Sequence, residues 1–284
     1  MRGSTVADQN SNIIAVILTK NEEINIERSI RSVDFCKHVI VLDSGSTDKT
    51  AAIAEGLGAT VKVNIQAPPF NIANQRNWIL DNYPFSGEWV LFLDADEEVR
   101  PELRDRLLDI SKGFSGPDHY QLTPRYMFLG RWLKRTIGFP NWHARFLRFG
   151  TTRFAGGVWE HFSSKADSGY ISEPYDHYAY SKGLSDWLAR HDRYSTWDAE
   201  RIVAFQLSGD TQDLGTTRKV RVRAFAAKFW PLRPFARALH AYVLRGGFVE
   251  GWQSLVFCTL YFFYEFMTVV KVIELKRRAK GLPL

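Results

Sequence analysis

Three short, unbroken apolar runs occupy the first third of the chain: Ile13–Leu18 (IIAVIL), Val39–Leu42 (VIVL) and Trp89–Leu93 (WVLFL). Runs of strand length without alternation belong to strands covered on both faces. Helical segments alternate with them. Ile26, Ile30 and Val33 recur at i, i+4 and i+7, Thr50–Leu57 reads as a helix stopped by Gly58, Asn74–Leu80 as another, and Pro101 opens one that runs to about Ile110. Thr60–Val63 supplies a further strand. Strand and helix alternating through short connections predict an α/β fold with a mostly parallel central sheet flanked by helices and right-handed crossovers.

Ligands of such sheets bind beyond the carboxyl ends of the strands. Three polar clusters fall there: Thr19–Glu23, Asp43–Asp48 and Asp94–Glu98. Their chemistry is acidic. A Walker-type phosphate loop needs Gly-Lys-Ser/Thr and a dinucleotide fingerprint needs three spaced glycines; the loop after the second strand offers only Gly45. An acid at a strand end accepts hydrogen bonds from a base or from ribose hydroxyls. The Asp94-Ala95-Asp96 pair suits a hard divalent cation, which takes oxygen ligands and leaves room for substrate phosphates. Asp48 stands where a helix N-cap belongs.

After about Gly116 the pattern changes. Tyr120–Thr123 and Ala144–Phe149 are strand-like, GGVWEHF follows at Gly156–Phe162, and a long helix is expected from Ser185 to about Leu207. On it Asp186, Arg190, Arg193 and Trp197 share a face, to meet phosphates or to pair with one another. The histidines show no compact zinc spacing. The net charge of +6 is unevenly spread: from Arg218 onward there are thirteen Lys or Arg and three Glu, while the preceding residues carry 24 basic against 28 acidic. The tail interleaves these cations with Phe, Trp and Tyr, a composition suited to anionic headgroups rather than nucleic acid. Its apolar stretch Leu255–Val270 contains Glu265 and is shorter than the ~20 residues of a spanning helix, so a buried or interfacial helix is expected. Cys36 and Cys258 have no CxxC partners, and the polar amino terminus has no apolar signal core; a reduced, cytosolic protein is expected.

Taken together, ILTKNEEINIERSIRSV, VIVLDSGSTDKT and WVLFLDADEEV resemble the family-2 glycosyltransferases of the GT-A fold, and the middle segments QRNWIL, GGVWEHF and HYAYSKGLSDWLARHDRYS are similar to the lipopolysaccharide inner-core glucosyltransferases, the WaaE/KdtX-like group. The resemblance implies an inverting enzyme that moves a hexose from a UDP-sugar to a membrane-linked saccharide. It implies Mg²⁺ or Mn²⁺ as cofactor, held by Asp96. Thr19, Asn21 and Glu22 match the first nucleotide-contacting loop, and Asp43 the acid that recognises the base. Gln75 and Arg76 match a helix start from which arginine reaches the diphosphate or donor sugar. Asp94, with Ala95, matches the acid near the ribose, and Glu160 the catalytic base. Where the related pattern has Val-His-Glu, this chain has Val158-Trp159-Glu160. Trp159, His161, Arg193 and Tyr194 are candidate acceptor or phosphate contacts.

The organisation implied is a nucleotide-sugar-binding half at 1–115, an acceptor-binding half with the base at 116–215, and a basic aromatic helical tail at 216–284 on the inner face of the cytoplasmic membrane. Two other readings stand beside it. A sugar-nucleotide-forming nucleotidyltransferase also uses an acidic metal site, but TKNEEINIE lacks the expected glycines. A non-catalytic lipid- or partner-binding module would have no need of Asp43, Asp94, Asp96 and Glu160.

Overall fold

The computed structural model describes residues 11–86, 88–113, 116–156, 160–208 and 229–284. The chain divides into two compact units: residues 1–127 with 139–181, and residues 128–138 with 182–284.

The first unit is built on a seven-stranded sheet. Its centre is β1 (Ile13–Thr19), flanked in parallel by β2 (His38–Asp43) and β4 (Trp89–Asp94), with β3 (Thr60–Val63) parallel outside β2. All seven residues of β1 are buried because both faces are covered. Ile13, Ala15 and Ile17 point into one core, with Ile26 and Ile30 of α1 (Ile26–Ser32) and Leu103 and Leu107 of α4 (Pro101–Ser111). Ile14, Val16 and Leu18 point into the other, with Ile79 and Leu80 of α3 (Ile72–Asn82). Period-two alternation thus feeds two cores at once, and each fully buried side chain of this kind contributes about 1.5–3 kcal/mol. Helix α2 (Thr50–Gly56) connects β2 to β3.

Beyond β4 the sheet becomes mixed. β8 (His143–Arg148) runs antiparallel to β4 and to β6 (His119–Leu122), and β11 (Gly169–Tyr170) closes that edge parallel to β6. A second ladder sets β12 (Tyr175–His177) antiparallel to β5 (Glu97–Glu98) and parallel to β7 (Pro124–Phe128). Its register pairs His177 with Glu97, beside the end of β4. β9 (Phe154–Ala155) and β10 (His161–Phe162) form a small hairpin ladder.

The second unit is helical: α5 (Lys134–Ile137), α6 (Gly183–Ser208), α7 (Arg233–Leu239) and α8 (Gly251–Ala279) among the described residues. α6 begins at Gly183 rather than Ser185, and glycine adopts there the φ of 79° at which the chain turns into the helix. α6 and α8 meet through Ala199, Ile202 and Val272. Polar contacts tie the same pair: Tyr264 donates to Asp198 at 2.6 Å and Lys271 to Asp192 at 2.6 Å. α8 extends well past the apolar stretch that marked it in the sequence, to 29 residues, because its last turns are carried by Lys276, Arg277 and Arg278, which favour a helix C-terminus. By length and composition alone it is long and apolar enough to cross a membrane.

Candidate active site

β1, β2 and β4 end at one level. Thr19 pairs with Asp43 and Leu18 with Asp94, so the three acidic clusters share one sheet edge. The first two are laced together. Asn21 donates its N–H to Ser46 Oγ at 2.8 Å and accepts from the Thr47 N–H at 2.7 Å. The Glu22 N–H meets Thr50 Oγ1 at 2.8 Å, and the Glu23 N–H meets Asp48 at 3.2 Å. Asn21 sits at φ 55°, a left-handed conformation that asparagine tolerates. Thr19 is buried, and its hydroxyl has no hydrogen-bond partner among the described residues.

Three predicted contacts, Asp43, Gln75 and Arg76, are buried and bonded within the protein. Asp43 is buried and spends its carboxylate on the Ser46 N–H (2.9 Å) and hydroxyl (2.5 Å), closing its own turn instead of facing outward. Asp48 accepts from the Thr50 N–H at 3.0 Å, but the N-cap position expected for it is occupied by Lys49, one residue later. Gln75 and Arg76 are both fully buried on α3. Gln75 bonds Ser44, Asn64 and Gln66, so it scaffolds the loops. Arg76 turns inward, donating to the Ala144 carbonyl at 3.1 Å and to Asp94 at 3.2 Å and pairing with Glu160 at 2.6 Å. Burial leaves neither side chain a direct reach to a ligand in this conformation; they hold the groups that have one.

Arg145, on β8, completes the network. It meets Asp94 at 2.8 Å, Glu97 at 2.9 Å and Glu160 at 3.1 Å. Glu97 is fully buried and also accepts the Asp94 N–H at 2.9 Å, which fixes the turn after β4. Ala95 is buried and bonds back to the Leu18 carbonyl at 3.0 Å. Asp96 faces His177 Nε2 at 3.3 Å. Three carboxylates, Asp94, Glu97 and Glu160, therefore gather around two guanidiniums, and Asp96 meets His177. Desolvation and the charges of Asp96 and Glu160 push Asp94 up to about 8, and burial with Asp94 beside it pushes Glu97 well above the carboxylate range. Such shifts mark a place with surplus negative charge, which a cation relieves.

The residues present fit a divalent ion. Asp96 and His177 offer an oxygen and a nitrogen donor side by side. Among the described residues no three His, Cys, Asp or Glu side chains are grouped to enclose an ion; Asp96 and His177 would hold a divalent ion whose further ligands would come from elsewhere, as phosphates serve Mg²⁺. Glu160 is nearly buried. Its Oε1 is held by both arginines, while Oε2 has no hydrogen-bond partner among the described residues. Burial raises its pKa against the pull of Arg145.

His161 is exposed on β10. Trp159 lies outside the described residues. Arg193 and Tyr194 lie on α6 in the second unit, both exposed, while Asp186 and Arg190 of the same helix pair at 2.8 Å. Sequence reasoning missed Arg145, Glu97 and the placement of His177. A cation inside an otherwise buried strand was the available signal for Arg145.

The sequence model of glycosyl transferase family 2 matches residues 14–155. An uncharacterized glycosyltransferase of Rickettsia typhi is 29% identical over 278 residues, covering 95% of this chain and 89% of that protein. One from Rickettsia bellii is 45% identical over 96 residues, covering 34% of this chain and 31% of that protein, so the match spans about a third of its length. The lipopolysaccharide core biosynthesis glycosyltransferase LpsC of Rhizobium meliloti is 32% identical over 98 residues, 34% of this chain and 36% of that protein.

Proposed function

The chain belongs to glycosyl transferase family 2 and is a glycosyltransferase of the GT-A fold; from that premise we propose that it transfers a hexose from a UDP-sugar, with inversion, to a saccharide carried on a membrane lipid. The likeness to LpsC supports a lipopolysaccharide core or other cell-surface glycan as the product. The work is then cytoplasmic, at the inner face of the membrane. In this reading residues 1–115 hold the donor and residues 116–215 carry the base.

The observation that carries the proposal is the position of Glu160 within the network at the end of β4. Oε1 is pinned, and Oε2, itself buried, has no hydrogen-bond partner among the described residues. Oε2 takes the proton from the acceptor hydroxyl as its oxygen bonds the anomeric carbon from the face opposite the diphosphate. The bond from that carbon to the diphosphate oxygen breaks, and UDP departs with the electron pair. Asp94 and the laced loops orient the nucleotide. A divalent cation, Mg²⁺ or Mn²⁺, bound through Asp96 and His177 supplies charge neutralisation for the departing diphosphate.

The test is incubation with UDP-hexoses, Mn²⁺ and a lipid-linked or core saccharide, with the anomeric configuration of the product read by NMR. An inverted glycoside is expected. Formation of pyrophosphate from UTP and a sugar phosphate, without transfer, overturns the proposal.

A further inference from the structure

α8 is apolar on both sides: Cys258, Val269 and Val272 are buried, and its exposed side is apolar as well. Its buried positions include Ser254, Glu265 and Thr268. Its outward stripe carries Trp252, Leu255, Phe263, Phe266, Val270 and Ile273, each more than a third exposed. The spacing keeps these on one helical face. The turn before α8 adds Leu244, 73% exposed, and Phe248, 55% exposed. A contiguous apolar surface of this kind marks an interaction site.

The charges identify the occupant. Of the three Glu after Arg218, Glu250 and Glu265 are buried and neutralised within the unit: Glu250 accepts from the N–H groups of Arg135 and Thr136, and Glu265 is ion-paired with Arg233 at 2.9 Å and Arg237 at 3.1 Å. The cations stay outward. Arg277, Arg278 and Lys280 cluster at the end of α8 and are exposed. In the same unit Arg237, His240 and Arg245 line a cavity of about 150 Å³, and Arg245, bonded to the Ile137 carbonyl, has no carboxylate partner among the described residues. An apolar stripe flanked by cations fits a surface that is apolar within and anionic at its rim. A second copy of the chain would bring like charges together. The opposite face of α8 is bound to Asp192 and Asp198 of α6, so the helix cannot enter the hydrocarbon on all sides.

We propose that the second unit docks flat on an anionic lipid bilayer, with the Trp252–Ile273 stripe of α8 in the headgroup–acyl boundary and the Arg277–Lys280 cluster on lipid phosphates. This deepens the reading of a lipid-carried acceptor and rests on it only for the purpose of docking.

The full-length protein is sedimented with vesicles of phosphatidylcholine alone or with phosphatidylglycerol added. The wild type is expected to pellet with the anionic vesicles and to be released by high salt. Phe263→Glu/Phe266→Glu is expected to lower the partition about tenfold or more, and Arg277→Gln/Arg278→Gln/Lys280→Gln to remove the dependence on phosphatidylglycerol. Melting temperatures matching the wild type establish that the variants are folded. Wild-type-like binding by the Phe263/Phe266 variant overturns the proposal. So does a wild-type dimer on gel filtration that the same variant dissociates, since the occupant is then a second copy. UDP-sugar hydrolysis is assayed on the same samples: its loss alone speaks against the transferase reading, and loss of sedimentation alone against docking.

Discussion

Arg76 pairs with Oε1 of Glu160 at 2.6 Å, and none of its guanidinium nitrogens bonds Oε2. One buried cation thus fixes the carboxylate in space, and its second oxygen, also buried, has no hydrogen-bond partner among the described residues. Replacing Glu160 by Gln keeps the shape and removes the basicity. Transfer is expected to fall about 10²–10⁴-fold, with the affinity for UDP unchanged. Single-turnover transfer and UDP titration calorimetry check the two halves separately.

The network around Arg145 is expected to dominate the stability of its unit. Arg145→Met leaves Asp94, Glu97 and Glu160 short of a partner, and the loss is about 3–5 kcal/mol by urea denaturation. The exposed Arg31–Glu27 pair at 2.8 Å is the control: Arg31→Met should cost about 0.3–0.5 kcal/mol or less. Equal costs would show that the buried network carries no special weight.

Asp96→Asn is expected to abolish the part of UDP binding that depends on Mn²⁺, so that the variant with metal matches the wild type in EDTA. Mn²⁺ titration by electron paramagnetic resonance should show weakened ion binding as well. Mn²⁺-dependent UDP affinity equal to that of the wild type would remove Asp96 from the metal's shell.

His191 stacks on Trp187 at 3.7 Å between ring centres and is held down to about 4 by burial, against the pull of the Trp187 carbonyl. Its unfolded value is about 6.5. Between these limits the unfolded chain binds the extra proton, so stability falls as pH drops through about 6.5 toward 4 and is untouched above. The loss should reach on the order of 2 kcal/mol. Denaturation midpoints at pH 7.5 and 5 for the wild type and His191→Phe check this: the variant's slope should be shallower.

The parallel half of the sheet was legible because double-sided burial writes itself as runs such as IIAVIL, which only a covered strand tolerates. The acidic edge was legible for the same reason: each run stops at a polar residue, and strand ends in such a sheet converge. The interior of the site was not. Glu97 sits in DADEE, which reads as a solvated charge run, yet it is fully buried against Arg145. His177 becomes a neighbour of Asp96 only through the pairing of β12 with β5, a contact between segments some eighty residues apart in sequence. Arg76 was found, but its direction was not, because the helix period gives the face a side chain occupies and not the charge it meets there. α8 was misjudged in length because its final turns are charged, and hydropathy ends where helix does not.

The level ending of β1, β2 and β4 makes their lengths a ruler. Side chains alternate across a sheet at every step, so inserting or deleting one residue inside any of these strands would turn its terminal polar residue, Thr19, Asp43 or Asp94, to the opposite side and bring a core aliphatic to the rim. Loops of this protein can change length at modest expense; these three segments cannot, and a viable homologue should carry its indels elsewhere.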